Sequence, residues 1–99
     1  MASLEQLIAD TSFMTFREVD ARHGCSKGEA FRAFKALGAR LIEGQDFHCC
    51  DRRVDGEAFD VLEASGRLYR GTVNGVLLAP SAQAEIAAHL AGAGHSPSA

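Results

Sequence analysis

Three times before residue 30 the chain sets a hydroxyl side chain three positions ahead of a glutamate or glutamine: Ser3-Leu4-Glu5-Gln6, Thr15-Phe16-Arg17-Glu18 and Ser26-Lys27-Gly28-Glu29. In each pattern the hydroxyl satisfies a free N–H of a first helical turn, and the longer side chain reaches back to the N–H of the cap. These boxes constrain the fold more than composition does, because they fix where helices start. The first helix is short, with Leu4, Leu7 and Ile8 on one face, and stops near Asp10-Thr11-Ser12. The second spans about two turns, Phe16 to Arg22. The third carries Ala30, Ala33, Phe34 and Leu37 at core spacing and ends at Gly38, or runs through Leu41-Ile42 to Gly44.

Beyond residue 44 the period changes. Gln45 to Cys50, with Phe47 between polar residues, predicts a short strand, and Asp51-Arg52-Arg53 a polar turn. Asp55 is positioned to cap a helix over Gly56 to Ser65, with Ala58, Phe59 and Leu62 buried and Gly66 as its stop. Asn74-Gly75 lies between the runs Leu68 to Val73 and Val76 to Ala79, which predicts a β-hairpin because both central residues of a type I′ turn need positive φ. Pro80-Ser81 opens a last helix with an apolar stripe at Ala82, Ile86 and Leu90. At 99 residues there is room for one core. The expected organisation is a single domain over 1–91 and a disordered tail over 92–99, rich in Gly, Ser, Pro and Ala.

Several functions are disfavoured at once. No apolar run approaches the ~20 residues of a membrane span, and Glu5 and Asp10 stand where a signal peptide would be basic and then apolar. A soluble cytoplasmic protein without a membrane partner is expected. Three cysteines, Cys25, Cys49 and Cys50, read as small apolar residues and not as a disulfide framework. His23-x-Cys25 and His48-Cys49-Cys50 offer soft ligands but lack the spacing of a zinc site, so no metal or other cofactor is expected. No G-x-S-x-G, H-E-x-x-H or phosphate-cradling glycine loop occurs, so the chain does not read as an enzyme.

Charge is more informative in its placement than in its total of −3. Residues 15–40 hold six basic groups (Arg17, Arg22, Lys27, Arg32, Lys35, Arg40) against three acidic ones (Glu18, Asp20, Glu29). The same stretch contains two capped helices joined by His23-Gly24-Cys25-Ser26. Thr15 to Leu37 resembles the helix-turn-helix of bacterial and phage DNA-binding regulators, over about a quarter of the chain. Gly24 falls on the turn glycine, Cys25 on the apolar residue after it, and Ala30 on the inward position of the second helix. Asp20 departs from the pattern, where alanine is usual at the helix contact. An aspartate there leans outward, caps the second helix, or breaks the assignment.

The resemblance implies DNA-facing positions at Ser26, Lys27, Gly28, Phe31 and Arg32, with Lys35 further along. It makes the hairpin the wing of a winged-helix-like domain, with Arg67 and Arg70 meeting phosphates; alternatively the hairpin completes a small sheet with the Phe47 strand. Glu43-Gly44-Gln45-Asp46-Phe47 followed by Val76-Leu77-Leu78 is similar, more loosely, to the amino-terminal modules of phage antirepressors. The fold expected is mainly α within an α+β class: a helix-turn-helix with a small β-hairpin or three-stranded sheet. The function expected is sequence-specific duplex DNA binding by a small transcription regulator, as a homodimer whose Ala82, Ile86 and Leu90 stripe finds a partner surface. The competing expectation is an acidic module that uses the same helical surface to dock a protein partner.

Overall fold

Leu77 and Leu78 are adjacent in sequence, both fully buried, and belong to different halves of the core. Their strand alternates side chains between faces, so it divides the molecule into two layers. The computed structural model describes residues 3–92. In chain order the elements are α1 (Leu4–Ala9), α2 (Phe16–Arg22), α3 (Glu29–Leu37) with a following 3-10 turn (Gly38–Arg40), β1 (Phe47–Asp51), α4 (Gly56–Ala64), β2 (Asn74–Leu78) and α5 (Pro80–Gly92). This is a mixed helix and strand fold of five helices and a two-stranded antiparallel sheet. No described helix is long and apolar enough to cross a membrane. The tail expected over 92–99 lies outside the described residues, except for Gly92, which closes α5.

On one face of the sheet, Leu78 packs with Val19 of α2, Ala30 and Ala33 of α3, and Ala82 and Ile86 of α5. On the other, Leu77 and Cys50 pack with Leu7 and Ile8 of α1 and Phe59 and Leu62 of α4. The stripe Ala82, Ile86 and Leu90 is therefore covered inside the chain, by the apolar face of α3. That contact removes the reason the stripe gave for a second copy.

β1 and β2 pair in the register Phe47↔Leu78 to Asp51↔Asn74, with α4 inserted between them in sequence. The Asn74-Gly75 hairpin does not form. Asn74 and Gly75 are the first residues of β2, neither has positive φ, and residues 68–73 form no strand. Gly75 fits for a different reason: a Cβ there would lie 3.2 Å from the carbonyl oxygen of Cys50 and 3.6 Å from its Cβ, a tight contact that the glycine avoids. The glycine permits close approach to β1 where a turn was expected. The sheet is thus built with the Phe47 strand, and a third strand position is reduced to one bridge. There the N–H of Met14 donates to the Leu78 carbonyl at 3.1 Å and the Leu78 N–H to the Met14 carbonyl at 2.7 Å.

A buried carboxylate fastens the start of α5. Asp46 accepts hydrogen bonds from the Ser81 hydroxyl (2.7 Å) and the Ile42 N–H (2.8 Å), and its carbonyl accepts from the Ala79 N–H at 2.9 Å. These bonds hold its carboxyl below the usual carboxylate range, the Ser81 hydroxyl contributing most.

Candidate nucleic-acid interface

The helix pair α2–α3 is organised from the caps inward. Thr15 accepts from the Glu18 N–H, and Glu18 accepts from the Thr15 N–H, so the box of α2 closes as its sequence predicts. After α2, Gly24 takes φ +64° and reverses the chain, and the Cys25 N–H donates to the Asp20 carbonyl at 2.8 Å. Cys25 is half-buried against the core and Ala30 fully buried.

α3 begins two residues later than the Ser26 box implies. Its N-cap is Gly28, in the left-handed region at φ +92°, and its first residue is Glu29. Only half of the box forms, the Glu29 carboxylate accepting from the Ser26 N–H at 2.7 Å. The capping group comes from the preceding helix. Asp20 accepts from the Ala30 N–H at 2.8 Å and the Gly28 N–H at 3.0 Å, and also from the Tyr69 hydroxyl at 2.6 Å. Of the three outcomes open to Asp20, the structure takes the cap, with its side chain 1% exposed. An acceptor at a helix N-terminus also meets the positive end of the helix dipole.

Ser26, Lys27, Phe31, Arg32 and Lys35 are all exposed, opposite the buried Ala30, Ala33 and Leu37. Gly28 is half-buried, and a Cβ on it would meet a guanidinium nitrogen of Arg32 at 3.2 Å, so Arg32 folds back over the first turn of α3. Phe31 is 46% exposed and edges onto Phe16 at 5.5 Å. Phe16 continues to Phe34 and Phe34 to Phe47, which anchors the outer ring to the core through aromatic edge contacts. The Lys35 ammonium sits 5.9 Å from the Phe31 ring centroid.

The two arginines assigned to a wing part company. Arg67 points inward, which corrects its placement among surface contacts. It donates to both carboxylate oxygens of Glu18 (2.9 and 3.0 Å) and to the carbonyls of Ile8 (2.7 Å) and Phe13 (3.1 Å). Arg70 is exposed. Between them, Tyr69 is covered by two cations that sequence reasoning did not join to it: Arg17 at 5.9 Å and Lys27 at 5.1 Å from the ring centroid. Burial, and then the hydrogen bond to Asp20, push the Tyr69 phenol up to about 12. The only sequence signals for this cluster were the basic excess of residues 15–40 and the lone tyrosine beside Arg70.

The cysteines separate. Cys50 is buried with its thiol pushed up to about 11 by burial, whereas Cys49 is exposed. Among the described residues, no three His, Cys, Asp or Glu side chains come together as a metal site. Set against known proteins, the chain matches no family model, no curated protein and no solved structure.

Proposed function

We propose that this protein binds duplex DNA through the exposed face of α3, as a small cytoplasmic transcription regulator. One observation carries the reading: the acidic side chains of the α2–α3 segment are engaged within the fold, and its basic ones face water. Glu18 is committed to Arg67 and the Thr15 N–H, Asp20 to the start of α3 and Tyr69, and Glu29 to the Ser26 N–H. Arg17, Lys27, Arg32 and Lys35 are exposed. A chain with net charge −3 thereby carries a locally positive surface on a helix held by a reversing turn, the combination a groove-reading helix needs. In this reading the winged-helix-like part of the domain is the connection 66–73, which takes the place of the absent hairpin. A homodimer reading two half-sites would use a face other than the buried α5 stripe, and sedimentation of the protein with and without duplex measures it.

The test is a salt-dependent titration with cognate and mixed-sequence duplexes. If Arg32 reads a base, Arg32→Ala weakens binding by about 1–3 kcal/mol on the cognate site alone. If it holds a phosphate, all sequences weaken alike and the salt slope falls by about one. Folded Arg32→Ala and Lys27→Ala proteins that bind as the parent does overturn the assignment to α3. The exposure of Phe31, on a protein of acidic total charge, favours a second reading in which the same surface docks a protein partner. A parent protein that binds no duplex at low salt selects that reading.

A further inference from the structure

We infer that the groove between α2 and α5 receives the acidic outer face of α4 from a second copy of this chain, so that two copies pair reciprocally. These surfaces include none of the α3 residues assigned to duplex, and the pairing goes beyond the DNA-binding reading.

The groove consists of two adjoining hollows that share Met14 and Arg22. One, of about 270 Å³, lies between Val19, Arg22 and His23 on one side and Pro80, Ala84 and Ala87 of α5 on the other. The second, of about 390 Å³, continues over Ile8, Phe13, Glu18 and Arg67. Its floor is apolar, since Val19 and Ile8 are buried and Met14 is half-buried. The α5 wall is low because Ala84 and Ala87 are short, and an unbranched thioether such as Met14 adapts to what settles on it. The carboxylates nearby are already engaged. Glu18 is held by Arg67 at 2.9 Å, and Glu85 of α5 is paired with Arg40 at 3.0 Å. Arg22 differs from both arginines: it is exposed, and its hydrogen bond goes to the Met14 sulfur at 3.6 Å. A thioether is a weak acceptor, so this guanidinium has no anionic partner among the described residues.

The complementary face is present on the same chain. Residues 54–66 hold Asp55, Glu57, Asp60 and Glu63 and no lysine or arginine. Glu57, Asp60, Val61 and Ala64 follow one another at helical spacing on the outer side of α4, and all four are exposed. Val61, a β-branched apolar residue left 50% exposed among acids, is the converse of an apolar floor beside an arginine. Seating Val61 over Met14 and Ala84 brings the Asp60 carboxylate towards the Arg22 guanidinium, a charge-assisted pairing. The molecule cannot use its own α4 in this way, because Ala58, Phe59 and Leu62 hold that helix in the core. Groove and helix are neighbours across α1: Ile8 lines the groove, and Leu7 and Ile8 pack with Phe59 and Leu62. Two copies related by a two-fold axis make the contact twice, each groove taking the partner's α4.

The experiment is sedimentation equilibrium of the full chain without nucleic acid, at submillimolar concentration and at low and high salt. The parent should pair reversibly, and less tightly as salt rises. Arg22→Glu and Asp60→Arg, both at exposed positions, should each raise the dissociation constant about tenfold. An equal mixture of the two variants should pair as tightly as the parent, because one of its contacts is native and the other has both charges exchanged. Val61→Ser should weaken pairing at low and high salt alike, which keeps the test sound if a charge reversal unfolds the chain; circular dichroism checks each fold. A monomeric parent overturns the inference, and so does pairing that is unchanged in both charge variants or not recovered on mixing. A monomeric parent that binds a synthetic leucine- and glutamate-rich amphipathic peptide, with binding lost in Arg22→Glu, gives the groove to an acidic helix of another protein instead. A parent that pairs as expected but binds no duplex supports the pairing and fails the α3 reading alone.

Discussion

The two layers of this protein put the same two acidic residue types to different work. Around α2 and α3, Glu18, Asp20 and Glu29 are structural acceptors, each holding backbone N–H groups, with Glu18 also paired to an arginine and Asp20 to a tyrosine. On α4, across the sheet, Glu57, Asp60 and Glu63 all face water. The difference teaches that a count of charges is a poor guide to a surface field. A carboxylate turned inward removes its repulsion from the outside and stiffens the element beneath the remaining cations, and one turned outward supplies solubility.

The sharpest way to break this comparison is to remove one acid from each layer. Asp20→Ala strips the acceptor from two backbone N–H groups and a phenol, and is expected to cost about 3–4 kcal/mol. Asp60→Ala on the exposed face of α4 should stay within about 0.5 kcal/mol of the parent. Urea denaturation followed by circular dichroism measures both, and equal losses would erase the distinction. Next in size is Arg67→Met, which leaves Glu18 and two carbonyls without their donor. A cost of about 2–3 kcal/mol is expected, softened by water because the two side chains are 18% and 32% exposed. A loss no larger than that of Asp60→Ala would return Arg67 to the surface.

A smaller effect separates acceptors by pH. The lowered carboxyl of Asp46 means that the folded state holds its proton less tightly than the unfolded chain does. Its stabilisation is present above the ordinary carboxylate range and is lost as pH falls through that range and below. Ser81→Ala removes the main cause, so the acid limb of a stability–pH curve should become shallower; an unchanged limb would reject the assignment. The smallest signal is spectroscopic. A tyrosine ordinarily ionises near pH ~10, whereas Tyr69 is pushed to about 12. Stability from its protonated form is complete below the ordinary value and fades as pH rises towards the higher one. Ultraviolet titration of the folded protein should show no phenolate at the ordinary value, and a normal titration with the circular dichroism intact would detach Tyr69 from Asp20.

Much of the framework was legible because it is written locally. Ser3 and Thr15 cap α1 and α2 as their boxes predict, and Pro80 opens α5; Asp55 stands immediately before α4, but its carboxylate accepts from the Asp51 N–H and does not cap the helix. The start of α3 was displaced because its acceptor is ten residues away from the N–H it satisfies, a distance no local pattern encodes. Gly75 misled because glycine serves both turns and close strand approach, and only the position of Cys50 distinguishes the two. The α5 stripe announced a face that needed covering without saying by what. At the candidate site, the outward positions of α3 followed from its period, but the direction of Arg67 and the stacking of cations on Tyr69 are tertiary facts.

The insertion of α4 between two paired strands has a kinetic consequence. β1 and β2 meet only after more than twenty intervening residues are looped out, and the entropy of that closure precedes any reward from the sheet. The cover of α3 comes later still in the chain, from α5. As the chain emerges during synthesis, α2 and α3 can meet each other before α5 exists, but the face of α3 that packs on Ile86 and Leu90 stays uncovered until those residues appear. The proposed binding surface is thus made before the helix that covers its inner face.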